Sequence, residues 1–372
     1  MLQNKIYSNF FLEIFKTFLI IVFGLSIIAL TVRAVNFLDL IVDNGYPVIT
    51  YFKYSILNLF GIAPKFIPLS FLLAIIIFIL KHKEDSEFII LWTSGVKKME
   101  VANLFLSASI AVLIFYIILS AFLTPIALNK SRQLLSQDQL NSFLPTVRPQ
   151  QFSDSFKGFT FIVQKKSNNE IQNIFLHDIG SNLKNLSPNV SSVSSTTIVA
   201  NKGLVNERKM ILFNGQIISS KKDNNENEII KFEQLNIDLG DLATSTIKKP
   251  KLQEISTIKL LKCFFTKNID ERICREEAKK EIIPILIRRI ILPFYIPVIA
   301  LICSLLLLKN NKTYLNKISV FSYSFIVLVF TELIIRYTGL SQFLRVLYFL
   351  TPITLLAIFY IFLNYKFSRE TK

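Results

Sequence analysis

Apolar runs too long for a soluble core constrain this chain more than any other feature. Crossing the roughly 30 Å hydrocarbon layer of a bilayer as α-helix takes about 20 residues. Six segments reach or approach that length: Phe10–Val32, Ile56–Leu80, Val101–Thr124, Ile283–Leu308, Ile318–Ile335 and Phe343–Asn364. Backbone in lipid must satisfy its own N–H and C=O groups, so each run is read as a spanning helix. The apolar residues, 52% of the 372, gather in these blocks with lysine-rich stretches between them. Pro64, Lys65 and Pro68 are expected to interrupt the second run and Pro125 to close the third. No small-residue cleavage site follows the first run, so it reads as a retained helix rather than a removed signal peptide.

The order is three helices, some 155 residues without a spanning run, then three helices. Short loops set orientation, because lysine and arginine stay on the cytoplasmic side. Lys81, Lys83, Lys97 and Lys98 follow the second run; Lys309, Lys312 and Lys317 follow the fourth; Lys366, Arg369 and Lys372 end the chain. With Lys5 and Lys16 these mark one side, which places both termini in the cytoplasm and the large middle region outside it. The net charge of +16 fits flanking cations that meet anionic headgroups of membrane lipid. No aromatic nucleic-acid motif, zinc-finger spacing or basic helix accompanies it, so no nucleic acid partner is expected.

The middle region reads as β structure. Lys157–Lys166 and Glu170–Ile179 form two strands around the turn Ser167-Asn168-Asn169, and Ser195–Ala200 a third before an expected turn at Asn201-Lys202-Gly203. Asn214-Gly215 reads as a two-residue hairpin turn, since type I′ turns need positive φ at both positions. Glu228–Leu239 adds a strand, Asn182–Ser195 a polar loop, and Ile255–Glu281 an amphipathic return to the fourth span. Short strands with frequent turns suggest a sandwich or jellyroll.

Several chemistries are missing. A phosphate-binding P-loop needs two glycines five positions apart, followed by lysine; among the ten glycines no pair has that spacing. Only His82 and His177 are available, too few for a histidine metal cluster, so no catalytic residue, metal or cofactor is expected. Energy for any uphill step has to come from a partner or an ion gradient. Cys263 and Cys274 flank the end of the polar region, and their spacing leaves pairing open; Cys303 lies in an apolar run and reads as packing.

The cytoplasmic stretch Lys81–Glu100, KHKEDSEFIILWTSGVKKME, is the most informative. Acids Glu84, Asp85 and Glu87 open a short apolar run, Phe88–Trp92, that Gly95 ends, as suits a short helix with its macrodipole. One reading is a solvated elbow between spans. The other is a docking helix whose apolar side, including the only tryptophan, fills a pocket on a soluble partner while an acid meets that partner's arginine.

This stretch resembles the cytoplasmic loop of the lipopolysaccharide export permeases LptF and LptG, whose S-E-hydrophobic…G pattern is matched by Ser86, Glu87 and Gly95. The resemblance covers the whole chain. Pro64 and Pro68-Leu69-Ser70 are similar to the start of that family's second span, and IFLHD with TTIVANKG looks more like LptF than LptG. One departure is Ile285, which stands four residues before Arg289 where the family often has glutamate. The resemblance implies a polytopic α-helical membrane protein with six transmembrane helices and an inserted periplasmic all-β jellyroll. Its parts would be residues 1–124 with the loop at 81–100, 125–282, and 283–372. It further implies a Gram-negative inner-membrane permease. Glu84, Glu87, Phe88, Trp92 and Gly95 would couple to an LptB ATPase dimer. LptG would be the second permease, a helix of LptC would join them, and lipopolysaccharide would be the cargo.

Within that frame, Arg33, Arg336, Lys65, Arg288 and Arg345 are candidates for lipid phosphate, and Phe159, Phe161, Phe175 and Phe213 for a greasy jellyroll groove. Plainer readings stand beside these. Arg33 can snorkel to headgroups, Glu332 and Arg336, four apart, can pair along one helical face, and the aromatic residues can be core. Two rival identities remain: a four-span permease of the lipoprotein-releasing type, and a membrane-anchored structural or sensory protein without transport.

Overall fold

Helix-breaking prolines organise the membrane part of this computed structural model. The structure describes residues 2–38, 41, 47–139, 149–156, 159–167, 169–179, 193–206, 209–221, 227–238, 251–265, 276–308 and 317–370. Helices α1 (Leu2–Asn36), α2 (Val48–Glu84), α3 (Glu87–Thr93) and α4 (Lys98–Ile117) lead through a π-helical turn (Ile118–Leu123) into α5 (Thr124–Gln139). After the strands come α6 (Thr257–Phe265), α7 (Glu276–Ile290), α8 (Tyr295–Ser304), α9 (Lys317–Tyr337) and α10 (Gln342–Glu370). Among the described residues, six helical segments are long and apolar enough to span a membrane, three before the strands and three after. One compact unit comprises residues 1–31, 58–129 and 251–372, and a second comprises 32–57 and 130–250.

In the first unit α8 is the hub: all ten of its residues are buried, which is why it is apolar on every side. Phe18, Phe71 and Phe105 pack in the same core. Pro64 and Pro68 lie inside a continuous α2, and Pro125 sits near the start of α5, so neither interrupts nor ends its span as expected. The reason is visible in the hydrogen bonds. Proline has no N–H to offer the carbonyl four residues back, and in lipid that carbonyl must find another donor. The Thr124 hydroxyl lies 2.7 Å from Phe60 O, the carbonyl freed by Pro64, with Leu119 O as alternative acceptor at 2.9 Å. The Thr257 hydroxyl donates to Ala121 O, four residues before Pro125, at 2.7 Å. The Tyr295 hydroxyl lies 3.3 Å from Tyr348 O, four before Pro352. Against Lys280 O, four before Pro284, the Gly339 backbone packs closely: a Cβ there would fall 2.1 Å from the oxygen, so only glycine allows the approach.

Arg289, 4% exposed, completes the group by donating to Gln253 O at 2.7 Å, Ile255 O at 3.0 Å and Thr257 Oγ1 at 3.0 Å. Three oxygens of the segment around the start of α6 thus satisfy this guanidinium, and Ile285 four residues earlier leaves no charge unanswered. Cys303 is buried and free, Cys263 is disulfide-bonded, and Cys274 lies outside the described residues.

The second unit holds one antiparallel sheet whose six strands follow chain order: β1 (Ser153–Phe156), β2 (Phe159–Ser167), β3 (Glu170–Asp178), β4 (Val193–Asn206), β5 (Lys209–Lys221) and β6 (Asn227–Asp238). The expected turns at Asn201-Lys202-Gly203 and Asn214-Gly215 lie inside β4 and β5. The connection between those strands is at residues 207–208, outside the described residues, as is most of the Asn182–Ser195 loop. What resembles turns in the sequence is a bend line. Gln164, Asn173, Asn201, Asn214 and Glu233 fall on one row across β2–β6, where ladder pairing is interrupted while register is kept on both sides. Asn173 and Asn214 have φ of 52° and 49°, which asparagine tolerates better than most residues. Buried positions step by two within a strand, as at Thr196, Ile198 and Ala200, but by three across the row, from Ala200 to Gly203. In β3 the same step separates Ile171 from Ile174. The strands slip phase at the same row, so the sheet folds about that line. Residues from both sides, among them Phe161, Leu176, Ile198, Met210, Leu212 and Ile237, share one apolar cluster.

Two outcomes follow for the purified chain. Thr124→Val removes the donor to Phe60 O and should cost about 1 kcal/mol in thermal unfolding, with Thr124→Ser near wild type. A Cβ on Gly215 would sit 2.4 Å from Val199 O and 3.0 Å from Ala200 Cα. Gly215→Ala should therefore destabilise the sheet by about 1–3 kcal/mol, while Asn214→Gly is tolerated; β-sheet circular dichroism on heating reads both.

Candidate functional site

Three places carry the residues singled out by sequence. The first is the loop end of the helical unit. Glu84 ends α2, Ser86 takes φ 61°, and Glu87 opens the seven-residue α3. Its far end is closed by Gly95 at φ 91°: Gly95 N–H donates to Trp92 O at 3.2 Å and Val96 N–H to Leu91 O at 3.1 Å. That pair of bonds is a Schellman cap, with Leu91 and Val96 buried together beneath it. Phe88 is 4% exposed and stacks on the half-buried Trp92. Phe88 is thus turned inward and Trp92 only partly outward, and the most exposed apolar side chains of α3 are Ile89 and Ile90, 60% and 65% exposed beside Glu87. Ion pairs and a hydrogen bond tie the neighbouring helices at the same end: Lys81 Nζ to Glu13 Oε1 at 2.6 Å, Tyr7 hydroxyl to Glu100 Oε2 at 2.8 Å, and Lys98 to Glu370.

The second is a cleft between the spanning helices. A cavity of about 330 Å³ is lined by Lys65, Pro68, Leu292, Thr331, Glu332 and Arg336 among others. A smaller one nearby shares Lys65 and Glu332 and adds Tyr116, Ser120, Arg288 and Arg289. Glu332 does not pair with Arg336, the expected neighbour on its own helix. It accepts from Arg288 Nη2 of α7 at 2.7 Å. Tyr116 in turn donates to the Arg288 carbonyl at 3.1 Å. Arg336, exposed on α9, has no ion pair among the described residues, whereas Lys65 has an interaction of its own. Lys65, Arg288 and Arg336 thus converge on one cleft, with Glu332 the carboxylate that lines it. Arg345 does not join them. It edges a separate, almost wholly apolar cavity of about 550 Å³ with Ile283, Ile287 and Phe349. Arg33 lies in the second unit, exposed in the last turn of α1, where a cation suits the helix dipole.

The third is the sheet. Phe161 is in the interior at 1% exposure. Phe175 and Phe213 fall on the opposite face by strand alternation, Phe175 reaching 36% exposure. Phe159 begins β2, and its side chain lies outside the described residues. The interior is built instead by residues that sequence reasoning misses, such as Met210, Leu212, Ile217 and Ile237. The three-residue step in apolar positions is the signal that points to them. Lys166 packs within this sheet, and burial pulls its amine below the ordinary lysine range.

The rewired ion pair is directly measurable. A double-mutant cycle on Arg288→Ala and Glu332→Ala should give a coupling of about 0.2–1 kcal/mol in thermal unfolding, as expected for a partly exposed pair. The Arg336→Ala and Glu332→Ala cycle should give none.

The sequence model of a family described as Lipopolysaccharide export system permease LptF/LptG matches residues 10–366. No curated protein is matched by this sequence.

Proposed function

Because the chain belongs to the LptF/LptG family of lipopolysaccharide export permeases, we propose that it is the LptF-type subunit that draws lipopolysaccharide from the inner membrane while a partner hydrolyses ATP. A permease in lipopolysaccharide transport is what family membership establishes. The finer assignment rests on three supports. Six candidate spans divided three and three by the strands fit this family and not a four-span lipoprotein-releasing permease. Lysines 81, 83, 97 and 98 beside α3 support a cytoplasmic position for it. Cys263, on the segment that follows the strands, is disulfide-bonded, which suits an oxidising periplasm. On this reading both termini are cytoplasmic and the sheet is periplasmic.

The observation that carries the reading is the outward face of α3. Phe88 and Leu91 anchor the helix and Gly95 fixes its exit, so Ile89, Ile90 and Glu87 are held out as a small apolar patch beside a carboxylate. An apolar anchor next to a charged contact is the composition of an interface hot spot. The occupant is an LptB dimer, shared with LptG as second permease; a helix of LptC joins the pair.

Cargo chemistry explains the rest. Burying a methylene is worth about 0.8 kcal/mol, so one myristoyl-length chain in water costs on the order of 10 kcal/mol. A lipid with several chains has to stay covered at every stage. The cleft lined by Pro68, Leu292 and Phe325 takes chains, while Lys65, Arg288 and Arg336 meet phosphate. Arg345, which edges another cavity, and Arg33, in the second unit, are left as contacts for headgroups elsewhere along the path. Arginine suits this role because its planar fork binds phosphate through two donors. The apolar interior of the folded sheet then receives the chains.

The test is co-purification of tagged chain with its ATPase after Glu87→Lys or the pair Ile89→Ser and Ile90→Ser. Loss of a hot spot worth about 2 kcal/mol should reduce recovery more than tenfold at limiting concentration. Undiminished recovery with both variants would favour a membrane-anchored protein without an ATPase.

A further inference from the structure

Among the described residues of the helical unit, His82 stands out as a buried titratable side chain that meets two carboxylates and has no part in the cleft. It is 3% exposed near the end of α2. Its ring is boxed by Phe10 of α1 at 4.9 Å between centroids, Phe78 of α2 at 4.0 Å and Phe88 of α3 at 5.9 Å. Nε2 lies 3.4 Å from Glu13 Oε2 of α1 and 3.4 Å from Glu87 Oε2 of α3. Nδ1 is buried with no partner among the described residues. A hydrogen on Nδ1 would be an orphaned buried donor, so the neutral tautomer favoured here carries it on Nε2, facing both acids.

We infer that His82 is a positioning residue that couples the orientation of α3 to α1 by sharing one N–H between Glu87 and Glu13. This rests on the reading of α3 as the ATPase-docking helix. A distance of 3.4 Å is longer than a well-formed N–H···O bond, so the hydrogen is committed to neither acid. One hydrogen cannot bond both carboxylates at full strength. When a cation on a docked partner draws Glu87 away, the N–H falls to Glu13. Glu13 is already held through its other oxygen by Lys81 at 2.6 Å, so the added bond tightens α1 against α2. When the partner leaves, Glu87 competes again and that grip loosens. The aromatic box keeps the ring in place through both states, so the hydrogen bond changes hands without repacking. Docking at the loop end is thereby felt by the helix that contains Glu13.

The experiment uses the complete transporter, this chain with its second permease and ATPase dimer, in lipid nanodiscs with and without lipopolysaccharide. The readout is the ratio of lipopolysaccharide-stimulated to basal ATP hydrolysis. His82→Phe keeps the aromatic box and removes the donor; the ratio should fall at least about threefold, as the loss of one hydrogen bond to a charged acceptor implies. His82→Gln restores an N–H donor and should recover most of it. Glu13→Gln should lower the ratio as well, and combining it with His82→Phe should lower it no further. A wild-type ratio in His82→Phe overturns the inference. So does an equal loss in the Phe and Gln variants, since the restored donor would then count for nothing. The docking reading fails separately: it falls if Glu87→Lys and the Ile89→Ser, Ile90→Ser pair both leave ATPase recovery intact, whereas recovery lost in those variants with full stimulation in His82→Phe removes the histidine alone.

Discussion

A carbonyl that loses its helical donor inside a bilayer has to be given another, and the helical unit is arranged around that need. Each unanswered polar group in hydrocarbon costs several kcal/mol, far more than the fraction of a kcal/mol that a single interhelical hydrogen bond usually adds. Prolines at 64, 125 and 352 each free a carbonyl that a hydroxyl from another element meets, Thr124, Thr257 and Tyr295 in turn, while the Gly339 backbone packs against the carbonyl that Pro284 frees. The contacts link α2 to α5, the turn before α5 to α6, α7 to the turn after α9, and α10 to α8. Apolar packing cannot distinguish one sliding arrangement of greasy helices from another. A freed carbonyl can, because its donor must stand at one depth and on one side. Proline here acts less as a kink than as a register mark between neighbouring helices.

The same logic sorts the charges. Arg289 is buried and fully spent on oxygens of residues 253–257. Its role is to hold the segment that leads into α6, and through Thr257 it reaches the carbonyl that Pro125 frees. Arg288, its neighbour in sequence, points to the cleft and shares Glu332. Arg336 has no such acid among the described residues. Glu332 set among three cations leaves the cleft net positive without binding all of them in ion pairs. That is the state the proposed phosphate site needs, since a site already neutralised would have to break an ion pair for each phosphate admitted.

Much of this architecture is legible in the amino-acid sequence. Six spans, the order of three helices, strands and three helices, and the short helix ended by Gly95 all follow from run length, lysine placement and one glycine. Where expectation and structure part, the cause is shared: a signal with two physical origins is read as the commoner one. Asn-Gly at 214–215 is a hairpin signal because it permits positive φ, but positive φ is also what a mid-strand bend requires, and that is its use here. Proline in the position of Pro125 ends most helices, but a π-helical turn and a threonine from elsewhere let this one continue. Glu332 and Arg336 are spaced to pair on one face, but an arginine from α7 takes the acid. In each case the deciding partner is distant in sequence, where spacing carries no information.

The outward face of α3 illustrates the limit from the other side. Seven residues cannot make a stable helix alone, because nucleation costs more than two turns return. Something must hold it, and the largest apolar side chains are the ones best able to do so. Phe88 and Leu91 are therefore drawn inward, and Trp92 is half drawn with them. The side chains left facing outward are the mid-sized Ile89 and Ile90. A short surface helix that docks by hydrophobic contact has to divide its apolar residues between its own anchorage and its partner. Sequence shows that both are present. Only the position of the flanking helices decides which residues serve which end, and His82 sits at the point where that division is made, between the anchored Phe88 and the exposed Glu87.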